Sequence, residues 1–174
     1  MFATIGGVLE IVDRIKAALG SLAFLVLAPG IVAGLIPWLI TGWSPLPPGD
    51  WPGILRWAGI ILIAAGFAVV LEAFARFAWV GLGTPAPVAP TRALVVSGFY
   101  RYVRNPMYVA VGALIFGQAV LFASWGTALY GVAIVIAFDT FVRLYEEPTL
   151  LRAYGERYAA YCAVVPRWIP RLRR

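Results

Sequence analysis

The sequence predicts an all-α integral membrane protein with about four transmembrane helices, and three observations carry that prediction. Of its 174 residues 62% are hydrophobic and 13% charged, whereas an ordinary soluble domain is roughly 45–50% apolar. Uncharged stretches long enough to cross about 30 Å of hydrocarbon recur along the chain. The 14 Lys and Arg residues outnumber the 8 Asp and Glu, and a four-span topology gathers nearly all of the basic ones on one side of the membrane.

The first span is Leu22 to Ile40, inside the uncharged run Ala17 to Gly49. Gly20, Pro29, Gly34 and Pro37 lie in or beside it and predict a kink. Arg14 and Lys16 precede a run too long for a cleavable signal peptide, so the segment reads as a retained anchor. The connector Trp43 to Gly53 is rich in turn residues, and its tryptophans suit the lipid–water boundary. The second span, Ile54 to Phe77, carries Glu72 and Arg76 one helical turn apart, the spacing of an interfacial ion pair. Glycines and prolines from Gly81 to Pro90 forbid a regular helix and predict a surface loop.

A helical hairpin comes next, Pro106 to Phe122 and Trp125 to about Leu144, turning at Ala123-Ser124-Trp125-Gly126. Asp139 and Arg143 near its end again have i,i+4 spacing. Beyond Glu146-Glu147-Pro148, the stripe Leu150, Leu151, Tyr154, Tyr158, Tyr161 predicts a C-terminal interfacial helix in which the tyrosines serve packing. The basic tail from Arg167 to Arg174 reads as a lipid-facing anchor. By the positive-inside rule both termini and the loop holding Arg92, Arg101 and Arg104 are cytoplasmic.

Several chemistries are excluded. There is no histidine and Cys162 is the only cysteine, so no intrachain disulfide, Cys/His zinc site or catalytic histidine exists. Nothing points to a metal, and the net charge of +6 speaks for anionic lipid rather than nucleic acid. Polar residues concentrate in two cytoplasmic stretches, Arg92 to Tyr108 and Asp139 to Arg167, which the hairpin brings together. They place arginines, tyrosines, an asparagine and paired carboxylates at the membrane surface. Such a site suits a zwitterionic cofactor from the cytosol and an apolar substrate from the lipid.

The run Leu94-Val95-Val96-Ser97-Gly98-Phe99-Tyr100-Arg101-Tyr102-Val103-Arg104-Asn105-Pro106-Met107-Tyr108 resembles the cofactor motif of the isoprenylcysteine carboxyl methyltransferase and phospholipid methyltransferase superfamily. Glu146-Glu147-Pro148, Tyr154-Gly155-Glu156-Arg157-Tyr158 and Val165-Pro166-Arg167-Trp168 extend the resemblance over Gly81 to Pro170, towards its prokaryotic-type members. It implies a membrane enzyme without a Rossmann fold that uses S-adenosylmethionine and acts on a lipophilic acceptor, a carboxylate or an amine, in a bacterial inner membrane. Residues 1–80 then form a two-helix membrane anchor and 81–174 the methyltransferase core. The resemblance puts Gly81, Gly83, Leu94, Val95, Tyr100, Arg104, Asn105, Pro106, Met107, Tyr108, Glu146 and Glu147 at the cofactor. It makes Arg143 and Glu147 catalytic, and Arg143 and Asp139 the substrate contacts. Asn105 stands where eukaryotic members have a histidine, and an amide hydrogen-bonds without titrating. Two other readings are an NADPH-dependent membrane reductase of the sterol type and a non-catalytic lipid-binding protein.

Overall fold

Four apolar helices stand side by side in this computed structural model, which describes residues 19–20, 22–44, 51–76 and 94–171. The helices are α1 (Leu22–Thr41), α2 (Gly53–Arg76), α3 (Pro106–Leu121) and α4 (Trp125–Tyr154), with the short α5 (Glu156–Val164) after them. A 3₁₀ turn, Gly98–Arg101, precedes α3, and no strand occurs among the described residues. Gly81 and Gly83 lie outside the described residues, as do Arg14, Lys16, Phe77 and Arg92.

Helices α1, α2 and α4 are each long and apolar enough to cross a membrane. Helix α3 has 16 residues, rising about 24 Å at 1.5 Å per residue, and it is the most enclosed. Its Ala110, Val111 and Ile115 meet Val70 and Phe74 of α2 and Ala33 of α1 in the main core cluster. The protein is an integral membrane protein whose spans fall within a residue or two of those expected, except that α4 continues past Leu144.

Local chemistry explains how α1 and α4 run through Pro37 and Pro148. Proline lacks an N–H and its ring crowds the carbonyl four residues earlier, so a helix that continues through one must adjust. In α4 the adjustment is a π turn, Val142–Glu146, ahead of Pro148, in which the Glu147 N–H reaches back to the Val142 carbonyl. In α1 it is a π turn, Ile31–Leu35, ahead of Pro37, with the Ile36 N–H on the Ile31 carbonyl. The carbonyls of Val32 and Ala33 thereby lose their usual helical donors. The hydroxyl of Tyr130 on α4 donates to Val32 at 2.8 Å and the amide of Gln118 on α3 donates to Ala33 at 2.6 Å. Such rescue by neighbouring helices is what makes proline tolerable in lipid. The Gln118 side-chain oxygen accepts from the Trp43 indole at 3.0 Å, so this buried amide is used at both ends.

Glycines set the approach of α2 to α3. A Cβ on Gly59 would lie 2.7 Å from the Gly117 carbonyl oxygen, and one on Gly66 2.8 Å from that of Ala110. Backbone therefore rests on backbone, the usual way membrane helices gain van der Waals contact without a hydrophobic drive. Gly117→Val is expected to lower stability by about 1–3 kcal/mol through overpacking, whereas Gly34→Ala, with nothing within 4 Å of its new methyl, leaves the thermal midpoint in detergent unchanged. The hairpin turn is closed by Ser124, whose hydroxyl caps α4 by accepting from the Thr127 N–H at 3.1 Å.

The single C-terminal helix expected over Leu150 to Tyr161 is two. Gly155, at φ +53 and ψ −130, takes a conformation open in practice only to glycine and breaks the rod into the end of α4 and α5.

Candidate active site

The segment before α3 is seated on the end of α2. Val95 and Tyr100 are buried against Ala73, with Met107 packed alongside. Gly98 has φ +61 and sits directly over the Glu72–Arg76 ion pair, where any Cβ would overlap both side chains. Arg76 Nη1 also donates to Ser97 Oγ at 3.1 Å. The charged pair expected on α2 is therefore the platform on which this segment turns.

The chain then returns to fix the same segment from the other side. The Arg104 N–H donates to the Pro166 carbonyl at 2.8 Å and the Arg171 N–H to that of Tyr102 at 3.1 Å. Asn105 occupies the N-cap of α3 without capping it; its amide instead donates to the Arg167 carbonyl at 3.2 Å. Pro106 supplies the first helical residue, where a missing N–H costs nothing. The Tyr161 hydroxyl donates to the Tyr100 carbonyl at 2.6 Å. Burial pushes the phenols of Tyr100 and Tyr161 well above their usual range, so both remain protonated donors.

Glu147 is the electrostatic hub. Its Oε1 accepts from Arg104 Nη1 and from Arg167 Nε, each at 2.8 Å, and its Oε2 from Arg167 Nη2 at 2.7 Å. The Arg167 pair is bidentate, the strongest carboxylate geometry available, and that hydrogen bonding raises the Arg167 pKa further. Arg104 Nη1 also lies 3.1 Å from Cys162 Sγ, and its Nε is buried without an acceptor among the described residues. Arg167, expected in a lipid-facing tail, is instead folded inward. Tyr158, expected at the interface, is buried beside this hub.

Next to the hub lies a cavity of about 250 Å³. The motif segment contributes Tyr100, Arg104 and Asn105, α3 contributes Met107, Tyr108 and Val111, and α4 contributes Phe138, Phe141 and Glu146. The remaining wall is Phe24, Ala28, Pro29 and Val32 of α1. Inside it, the Tyr108 hydroxyl donates to Glu146 Oε2 at 2.7 Å.

Six of the residues expected at the cofactor, Tyr100, Arg104, Asn105, Met107, Tyr108 and Glu146, thus meet around one space. Val95 and Pro106 are buried beside it, Leu94 is half-buried, and Glu147 stands behind Arg104 outside the lining. The structure does not bring Asp139 and Arg143 to the lining. Arg143 Nε donates to Asp139 Oδ2 at 2.7 Å, and the Trp168 indole donates to Asp139 Oδ1 at 2.8 Å. No motif or charge pattern singles out the α1 wall; its one local signal is Pro29, the earlier of two prolines in an apolar run.

No curated protein matches the sequence. The phospholipid methyltransferase family model matches residues 54–157, from the start of α2 to the first residues of α5. That span holds the platform, the motif segment, the hairpin and the Glu146–Glu147 pair, and leaves outside it α1 and the returning segment of Arg167. The parts that build the cavity's polar side are the parts the family shares, and the chain belongs to the phospholipid methyltransferase family of membrane methyltransferases.

Proposed function

We propose that the protein transfers a methyl group from S-adenosylmethionine to the amine headgroup of a membrane lipid, at the cytoplasmic face of a bacterial inner membrane. The observation that carries this reading is the two-sided cavity: Tyr100, Arg104 and Glu146 on one wall, and hydrocarbon side chains of three membrane helices on the others. The basic residues at the same end as the cavity support the cytoplasmic orientation. The donor set fits the cofactor. Arg104, whose buried Nε has no acceptor among the described residues, would hold its carboxylate, and the rings of Tyr100 and Phe24 would pack on its adenine. When bound, S-adenosylmethionine supplies a methyl carbon on a sulfonium, open to in-line displacement.

The chain's own residues orient and deprotonate. Glu146 is the carboxylate in the cavity lining, and Tyr108 fixes one of its oxygens. An ammonium acceptor must shed a proton before its nitrogen can attack, and Glu146 is placed to take it. A carboxylate acceptor would need no base and would meet a like charge at Glu146, which favours the amine. Arg143 and Asp139, outside the lining, are proposed to meet the rest of the lipid headgroup. Positioning then supplies much of the remaining rate, because a displacement between held partners avoids most of the entropic cost.

Calorimetry on detergent-purified protein tests the reading, with S-adenosylmethionine, S-adenosylhomocysteine and NADPH as titrants. Saturable binding of the first two alone is the expected result. Binding of NADPH alone would transfer the chain to reductase chemistry, and binding of none would leave a lipid-binding protein without catalysis.

A further inference from the structure

A second cavity, again of about 250 Å³, runs between α3 and α4. Tyr108 and Phe138 line both cavities, with ring centroids 4.7 Å apart, so these two rings are the partition between them. From Tyr108 to Phe116 the groove tracks two turns of α3, about 12 Å at 1.5 Å per residue. Its walls are almost entirely carbon. The two polar atoms that its lining residues carry at the head are already engaged, the Tyr108 hydroxyl by Glu146 and the Trp168 indole by Asp139. Val109 and Val135 on its rim are 39% and 45% exposed, so the groove opens sideways to where the bilayer lies. Gly112 keeps it open: a Cβ there would stop 3.9 Å from Val135 Cγ2.

The head of the groove is charged. Trp168, which lines it, hydrogen-bonds Asp139, and Asp139 pairs with Arg143, whose side chain is 52% exposed. Asp139 thus stands one hydrogen bond from the lining of an apolar slot and the Arg143 cation two, and the slot itself abuts the Tyr108–Glu146 pair. Acyl chain, phosphate and amine of a glycerophospholipid have that same order.

We propose that this groove takes one acyl chain of the acceptor phospholipid, with the lipid phosphate at Arg143. The assignment rests on the proposed methylation of a lipid amine. It makes Gly112, Ala113 and Phe116 the residues that set which chains are accepted.

The test uses the full chain in nanodiscs doped with phosphatidylethanolamine carrying a photoactivatable diazirine in its acyl chain, with adducts mapped by mass spectrometry. The expected result is adducts concentrated on Val109 to Phe116 and on Val135. They fall at least tenfold in Gly112→Leu, are competed away by unlabelled dioleoyl phosphatidylethanolamine, and disappear without loss of S-adenosylmethionine binding. If Gly112→Leu is not monodisperse, Ala113→Leu fills the same space. Adducts spread evenly over the outer faces of α1, α2 and α4 would mean surrounding lipid only and overturn the proposal. Labelling requires no methyl transfer, so the two readings fail separately: an unlabelled groove in cofactor-binding protein removes the groove alone. A labelled groove in protein that ignores S-adenosylmethionine removes the function.

Discussion

Glu146→Gln is expected to lower methyl transfer to phosphatidylethanolamine by about 10²–10⁴-fold, the usual worth of a positioned general base, with S-adenosylmethionine affinity little changed. Glutamine keeps the shape and can still meet the Tyr108 hydroxyl, but it cannot take a proton at the acceptor nitrogen. The signature is in the pH profile. Raising the pH towards the amine's own pKa supplies more of the free base, so the variant's rate rises with pH while the parent's dependence is shallower. A variant rate that stays depressed equally at every pH would mean that Glu146 supports structure, and a parent-like rate would end the base assignment. Tyr108→Phe removes a hydrogen bond to a carboxylate, a contribution on the order of 1.5–3 kcal/mol, and is expected to give a milder loss of the same kind.

Glu147→Ala is expected to destabilise the protein by about 3 kcal/mol, a large share of a stability that totals about 5–15 kcal/mol in ordinary domains. The reason is the charge left behind. Arg104 and Arg167, with side chains 14% and 24% exposed, would face each other without their shared carboxylate. The value is taken at the low end for a broken buried pair because some solvent reaches both arginines. The returning segment would lose its hold on the motif segment, so the thermal midpoint and S-adenosylmethionine affinity should fall together. The double variant Glu147→Leu with Arg167→Met removes a whole pair rather than one charge and should regain part of the midpoint. Parent-like melting of Glu147→Ala would show that the cluster does not seat the chain's return.

The spans were legible because they depend on local quantities: the length of an apolar run, and turn residues such as Ser124 at the hairpin. The polar wall was legible because Tyr100, Arg104, Asn105 and Tyr108 occur as one ordered run. Helical spacing alone does not give the end of α4. In a regular helix Glu146, seven residues after Asp139, shares its face. The π turn inserts one extra residue, which rotates the remainder of the helix by about 100°; Glu146 enters the cavity while Asp139 and Arg143 stay outside its lining. Arg167 groups with the tail arginines in sequence although it stands in the run Val165-Pro166-Arg167-Trp168, because that run does not name the carboxylate twenty residues earlier that it meets. Phe24 and Pro29 were hidden for a similar reason: their role depends on how α1 packs against helices far along the chain.

The carbonyls that Pro37 and its π turn leave without helical donors also bear on biosynthesis. Val32 and Ala33 are translated long before the side chains that complete them, Tyr130 lying 98 residues on and Gln118 85 residues on. At about 5–20 residues per second that delay is roughly 4–20 seconds. A carbonyl left alone in hydrocarbon costs several kcal/mol, so through that interval the nascent α1 is expected to keep these carbonyls beside water or the insertion machinery.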